Sequence, residues 1–418
     1  MAAADTHQAI DAVWRMESPR LIAALTRMVR DVGVAEDLAQ DALVAALRQW
    51  PAEGIPDKPG AWLLAAARHR AIDHFRRRKR LDQKHEAIGR ELDARERATP
   101  DLDTAIDDDV GDDLLRLIFI ACHPVLSTEA RVALTLRLIG GLTTEEIARA
   151  FLVPEPTIAQ RIVRAKRTLA KARVPFDVPR AADRAARLSS VLEVIYLVFN
   201  EGYSPTSGDL WVKPSLCEEA VRLGRVLAEL APDDAEVHGL VALMELQASR
   251  LRARTGPSGE PILLLDQNRS QWDQLLIRRG LAALSRAERV RGDGGVYVLQ
   301  AAIAACHARA IRHEDTDWAR IAGLYGRLAD LTGSPVVALN RAVAVGMASG
   351  PQAGLDLVDA LTSDPSLAQY HLLPSVRGDL LAKLGRLDEA RREFERAASL
   401  TRNRRERELL QNRVRKNA

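Results

Sequence analysis

An all-α fold is what this sequence predicts, on three observations. Aromatic residues make up only 4% of the 418 positions while Ala, Leu and Arg recur throughout, a balance that favours helix over sheet. Apolar residues repeat at helical spacing along most of the chain. Residues 142–171, LTTEEIARAFLVPEPTIAQRIVRAKRTLAK, carry start and stop signals that delimit two helices. A chain of this length, with 47% hydrophobic content, has material for two or three cores rather than one.

Taken in order, Ile10, Val13, Trp14, Leu21, Leu25 and Met28 recur at helical spacing, and Ser18-Pro19 interrupts them, so two helices or one broken helix are expected. After a turn at Asp31-Val32-Gly33, VAEDLAQDALVAALRQW presents Leu43, Leu47 and Trp50 on one face. Glu36, Asp37, Gln40 and Asp41 lie near its start, where acidic side chains suit the helix dipole. The turn-rich PAEGIPDKPG leads into AWLLAAARHRAIDHFRRRKRL, with Leu64, Ala67, Ala71 and Phe75 as its apolar stripe.

Residues 82–113 are poor in apolar side chains and end in an acidic block, the composition of a linker. Two helices follow, from Leu114 and from Ser127, the second stopped by Gly140-Gly141. Thr143 and Glu146 have the spacing of a capping box, and Leu142 and Ile147 occupy the hydrophobic staple positions around it. Pro154 and Pro156 end the short helix and suit the first turn of the next. That next helix carries Ile158, Ile162 and Leu169 inward and a basic set outward, which makes a helix-turn-helix whose second helix can lie in a major groove.

From Ala182 onward the chain is a series of amphipathic helices. Residues 372–400 read as helix, turn at Gly385, helix, with Ala390 and Ala397 at close crossings, in the manner of a tetratricopeptide repeat. Ala353 stands 37 positions before Ala390 in a weaker copy. TGPSGEPILLLDQNRSQWD is irregular and reads as a loop or short hairpin. YLVFNEGY and DQNRSQWD suit either a pocket lining or polar networks that join helices.

Net charge is only +3, but its layout is uneven: residues 68–80 are dense in cations, 101–113 carry only acids, and 391–416 are basic again. Such a layout points to nucleic acid as a partner. Flat side chains (Trp62, His69, His74, Phe75) interleave the first basic run, as unpaired bases require for stacking. The three cysteines are far apart, so neither a disulfide framework nor a zinc site is expected; Cys122-His123 and Cys306-His307 read as buried helix residues. No nucleophile, metal cluster or phosphate loop stands out, so neither enzymatic activity nor a cofactor is expected. With no leader and no run of about twenty apolar residues, the expectation is a cytoplasmic protein without membrane contact.

The succession of a DLAQD helix, an RHRAIDHFRRRKR helix, an acidic linker and a capped helix-turn-helix resembles the extracytoplasmic-function sigma factors of bacterial RNA polymerase. YLVFNEGY, DQNRSQWD, LQAAIAACHA and the repeat-like end resemble the subgroup with a large tetratricopeptide-like extension behind region 4. The resemblance implies region 2 over 1–82, a flexible acidic linker over 83–113, region 4 over 114–176 and the extension over 177–418. It implies that Asp37, Gln40 and Asp41 dock on the β′ clamp helices of the polymerase core, with the β flap a further contact. Trp62, Arg68, Arg70, His74, Arg76, Arg77 and Arg78 would capture the opened −10 strand. Thr157, Gln160, Arg161, Arg164, Lys166 and Arg167 would read the −35 promoter DNA as duplex. It also implies that the extension regulates activity, with room for a partner or ligand of its own. The competing expectation is a free-standing helix-turn-helix regulator with a repeat-type sensor domain; it leaves the helices of residues 37–50 and 62–81 without a task.

Overall fold

The computed structural model describes residues 2–86, 110–151, 153–177, 179, 181–205, 210–257, 259–291, 294–401 and 403–416. Among these residues the regular structure is helical: α1 (Ala2–Val29), α2 (Val32–Glu53), α3 (Pro59–Glu86), α4 (Val110–Ala121), α5 (Thr128–Leu138), α6 (Thr144–Phe151), α7 (Glu155–Lys171), α8 (Ala181–Tyr203), α9 (Pro214–Leu230), α10 (Ala235–Ala248), α11 (Gln274–Arg291), α12 (Val296–Arg309), α13 (Trp318–Thr332), α14 (Pro335–Ser349), α15 (Pro351–Leu361), α16 (Leu372–Lys383), α17 (Leu387–Leu400) and α18 (Arg404–Lys416). The all-α expectation holds. The chain forms two compact units, residues 1–194 and 195–418. The division falls inside α8.

In the first unit α1 packs on α2, α3 and α4. The expected break at Ser18-Pro19 does not occur: Pro19 lies within one continuous α1. Leu21, Ile22 and Leu25 are buried just beyond it, and that tertiary burial outweighs the roughly 3 kcal/mol an interior proline costs. In α2 the buried stripe is Leu38, Ala39, Ala42, Ala46 and Trp50, so Leu43 and Leu47 sit at its margin. In α3 it is Leu63, Ala67 and Ala71; Leu64 is only half-buried, and the side chain of Phe75 lies outside the described residues.

The linker lies largely outside the described residues, but its two ends are helical, since α3 runs to Glu86 and α4 starts at Val110. Asp113, at the end of the acidic block, is a buried structural residue: Arg27 approaches it at 3.3 Å and Arg116 at 2.8 Å. The first part of α8 belongs to this unit. Arg187 donates to the Phe119 carbonyl (3.2 Å), Ser190 to the Cys122 carbonyl (2.8 Å), and Arg131 of α5 reaches both Ser190 and Glu193.

In the second unit α10 packs on α9, α11 and α12 around Leu243, Leu246, Trp272 and Leu284. From α12 to α18 each helix packs on its chain neighbours, the arrangement expected of stacked hairpins. Leu373, Leu381, Ala390 and Phe394 share a core in α16 and α17. The close crossing of α14 and α15 is made by Gly354, not Ala353: a Cβ at 354 would meet the Ala342 carbonyl oxygen and the Gly346 Cα, each at 2.8 Å. The irregular segment is a short hairpin-like excursion, with Thr255 bridged to Pro261 and short 3-10 turns at Leu251–Arg254, Leu264–Asp266 and Arg269–Gln271.

Candidate polymerase and promoter interface

The helix-turn-helix forms for local reasons. Ser127 caps α5, accepting from the Ala130 amide (3.3 Å), and Gly141 takes the left-handed conformation (φ 68°) that turns the chain towards α6. Thr143 and Glu146 make both halves of the capping box: the Glu146 amide donates to the Thr143 hydroxyl (3.1 Å) and the Thr143 amide to the Glu146 carboxylate (2.8 Å). Ile147 and Ala148 are buried. Pro154 and Pro156 frame the start of α7, which buries Ile158, Ile162, Ala165 and Leu169.

That stripe decides what α7 can offer a duplex. Gln160, Arg164 and Arg167 are exposed, while Thr157 and Arg161 are half-buried beside them. Lys166 faces elsewhere. Its ammonium lies against the Glu36 carboxylate of α2, and the same carboxylate receives Arg137 Nε of α5 at 2.7 Å. Arg137 also donates to the Leu142 carbonyl (3.2 Å), which ties the loop before α6 to the same point. Glu36 is buried; burial opposes its ionisation, but Lys166 and Arg137 prevail and hold its carboxyl below the ordinary value. The sequence reading gave Glu36 only a helix-dipole role. No local signal marks it, because its partners are remote in the chain.

On α2, Asp31 caps the helix by accepting from the Val34 amide (3.0 Å). Asp37 and Asp41, four residues apart, are exposed on one face, with Gln40 half-buried next to them. On α3, Trp62 is half-buried with its ring edge-to-face on Trp50 (centroids 5.2 Å apart), so it is a packed residue that keeps part of one surface open. Arg68 and Arg70 are half-buried, and His69 Nδ1 lies 2.9 Å from the Ala65 carbonyl oxygen. His74, Arg76, Arg77 and Arg78 are within α3 along the backbone, but their side chains lie outside the described residues.

Among the described residues no group of three or more His, Cys, Asp or Glu is placed to hold a metal ion, and no helix is long and apolar enough to cross a membrane. Cys122, Cys217 and Cys306 are free and buried. Burial raises the Cys122 thiol to about 11 and that of Cys217 to about 12, so both stay protonated and unreactive at neutral pH.

Comparison with known proteins agrees with this geometry. Residues 13–81 match the family model Sigma-70 region 2, residues 116–169 match Sigma-70, region 4, and residues 187–288 match a family of unknown function, DUF6596. An uncharacterised protein of Rhizobium meliloti (strain 1021) is 46% identical over 387 residues, 92% of this chain and 90% of that protein. A probable ECF RNA polymerase sigma factor, SigI of Mycobacterium tuberculosis (strain ATCC 25618 / H37Rv), is 30% identical over 178 residues, 43% of this chain and 60% of its own length. The ECF RNA polymerase sigma factor SigK of Mycobacterium sp. (strain KMS) is 28% identical over 158 residues, 37% of this chain and 77% of its own. Sigma-70 regions 2 and 4 are thus matched in order and folded as described, with a DUF6596 stretch behind them, and these matches together with the likeness to extracytoplasmic-function sigma factors support a non-enzymatic initiation factor of that kind, one that binds RNA polymerase core and promoter DNA.

Proposed function

We propose that this chain directs core polymerase to a particular set of promoters and that its extension regulates the step. Asp37, Gln40 and Asp41 dock on the β′ clamp helices. Trp62, Arg68, Arg70, His74, Arg76, Arg77 and Arg78 hold the separated −10 strand through stacking and cation contacts. Opening costs about 1.4 kcal/mol of stacking per base-pair step, which strand capture offsets. Gln160, with Thr157 and Arg161 beside it, reads −35 base edges, while Arg164 and Arg167 bind phosphates. Lys166 joins them once core binding separates it from Glu36. The work is done in the cytoplasm, where promoter DNA is.

The observation that carries the regulatory part is the hold of α8 on region 4. Arg187 and Ser190 are bonded to the α4 carbonyl of Phe119 and to the Cys122 carbonyl beside it, and α8 continues as one helix to Tyr203, inside the matched DUF6596 stretch. On this reading α8 is the path from the extension to region 4. The test is transcription in vitro with purified core and the full chain, wild type against Arg187→Ala/Ser190→Ala. A changed initiation rate at unchanged core affinity supports regulation through α8; equal rates count against it.

A further inference from the structure

Behind region 4, the motifs YLVFNEGY and DQNRSQWD converge on a cluster of cations and aromatic rings. Arg254 lies 3.7 Å from the centroid of the Tyr203 ring and 5.4 Å from that of Trp211. Arg250 and Arg269 both approach Trp272, at 5.6 and 4.9 Å. Among the described residues the hydrogen-bond partners of these arginines are neutral. Arg250 donates to the Tyr203 hydroxyl (2.6 Å) and to the Gln247 side chain, Arg254 to the Tyr203 carbonyl (3.0 Å), and Arg269 to the carbonyls of His307 and Ala310 (2.7 Å each) and to the Thr316 hydroxyl (3.2 Å). Among the described residues no carboxylate is within ion-pair distance of any of the three. Arg250 is 9% exposed and Trp272 only 3%.

Such a cluster is expensive. Buried charges persist when paired, and cation–π contacts worth about 0.5–2 kcal/mol each do not replace a counter-charge. Its effect on neighbours is visible at buried His307, where burial first, then Arg250 and Arg269, bring the imidazole down to about 3, so that it is neutral at physiological pH.

The cluster borders a cavity of about 700 Å³, walled by Gln267, Arg269, Trp272, Arg309, Arg312 and His313 among others. Three side-chain atoms of the wall residues are buried without a hydrogen-bond partner: Arg269 Nε, Trp272 Nε1 and Gln267 Oε1. Two of these are donors. Gln267, like Trp272, is more than nine-tenths buried. At the mouth, Arg309 and Arg312 are exposed; Arg312 is paired with Asp315 at 3.2 Å, and Glu314 is the acid among the lining residues. A preformed, open cleft with surplus positive charge and unused donors in its wall residues is what a small anion needs.

We propose that this cavity binds a small oxyanion carrying two or more negative charges, a phosphate ester or a di- or tricarboxylate, with Arg269 and the Trp272 indole N–H as its inner donors and Arg309 at the entrance. The free Gln267 oxygen suits a hydroxyl on the same ligand. The proposal concerns binding by the free chain and stands apart from the regulatory role above.

The experiment is calorimetric titration of the full-length protein with inorganic phosphate, adenosine monophosphate and citrate in turn, at constant ionic strength, with chloride as the control. Saturable one-to-one binding of any of the three supports the site, and which of them binds separates phosphate from carboxylate recognition. Trp272→Phe keeps an aromatic ring at the position and removes the donor, so it should weaken binding about tenfold, the worth of one charge-assisted hydrogen bond. Arg309→Ala, at an exposed position, should weaken it less without loss of fold. No saturable binding of any of the three, or binding unchanged in both variants, overturns the proposal.

Discussion

Glu36 of α2 and Lys166 of α7 meet as an ion pair in the first unit, and Arg137 of α5 completes the site at 2.7 Å from the same carboxylate. The helix assigned to core docking and the helix assigned to the −35 element are therefore joined through one buried acid. Glu36→Gln leaves two cations facing each other without their counter-charge. A fully buried pair costs roughly 3–5 kcal/mol to break; Lys166 and Arg137 keep about a fifth of their side-chain surface in water, so a loss of about 2 kcal/mol is expected in denaturant unfolding.

The same pair sets a pH dependence. Because the folded-state pKa of Glu36 lies below its ordinary 4.5, its contribution is complete above that value and is lost as pH falls through the lower folded value. The stability difference between wild type and Glu36→Gln should therefore be constant from neutral pH down to about 4.5 and shrink below it. Unfolding curves for both proteins from pH 7 to pH 3 check this; a gap that widens on acidification would refute the assignment.

Thr143→Ala and Glu146→Ala each remove one half of the capping box and should each cost about 1 kcal/mol. Because the two bonds support each other, the double variant should cost less than the sum of the two, which a double-mutant cycle by thermal unfolding measures.

Gly354→Ala tests the α14–α15 crossing. Alanine improves helix propensity by about 1 kcal/mol, yet its Cβ would press on backbone atoms at 2.8 Å that cannot swing aside. A net loss of about 1–2 kcal/mol in stability is expected, whereas Ala353→Gly should lose only the propensity difference of about 1 kcal/mol.

On the exposed face of α7, Gln160→Ala should relax sequence preference at one −35 position by about 1–3 kcal/mol, while Arg164→Ala should weaken all promoters alike and reduce the salt dependence of binding. Competition binding by the holoenzyme on promoter variants at two salt concentrations separates the two. Neither change should alter folding by more than about 0.5 kcal/mol.

What was legible in the sequence was local. The capping box spans three residues, the prolines of the turn act on their own backbone, and α7's buried stripe follows from its period, so the helix-turn-helix emerged as expected. Readings that depended on tertiary burial shifted. Pro19 does not break α1 because the residues beyond it are packed, and the apolar stripe of α3 is centred on Leu63 because the partner helices, absent from any local pattern, choose the phase. Lys166 resembled its neighbours as a DNA-facing cation, and only the position of Glu36 draws it away. The aromatic and arginine cluster of the extension was visible as two motifs but not as one site, since its members come from separate helices and turns.

The central claim is that this chain works as a dissociable subunit of the polymerase. The most direct measurement is initiation in vitro from a cognate promoter with purified core, comparing the full chain with Asp37→Ala/Asp41→Ala. The account predicts promoter-specific transcripts that require both core and the full chain and that fall sharply, together with core affinity, in the double variant. A chain that fails to associate with core yet binds promoter duplex tightly by itself would contradict it.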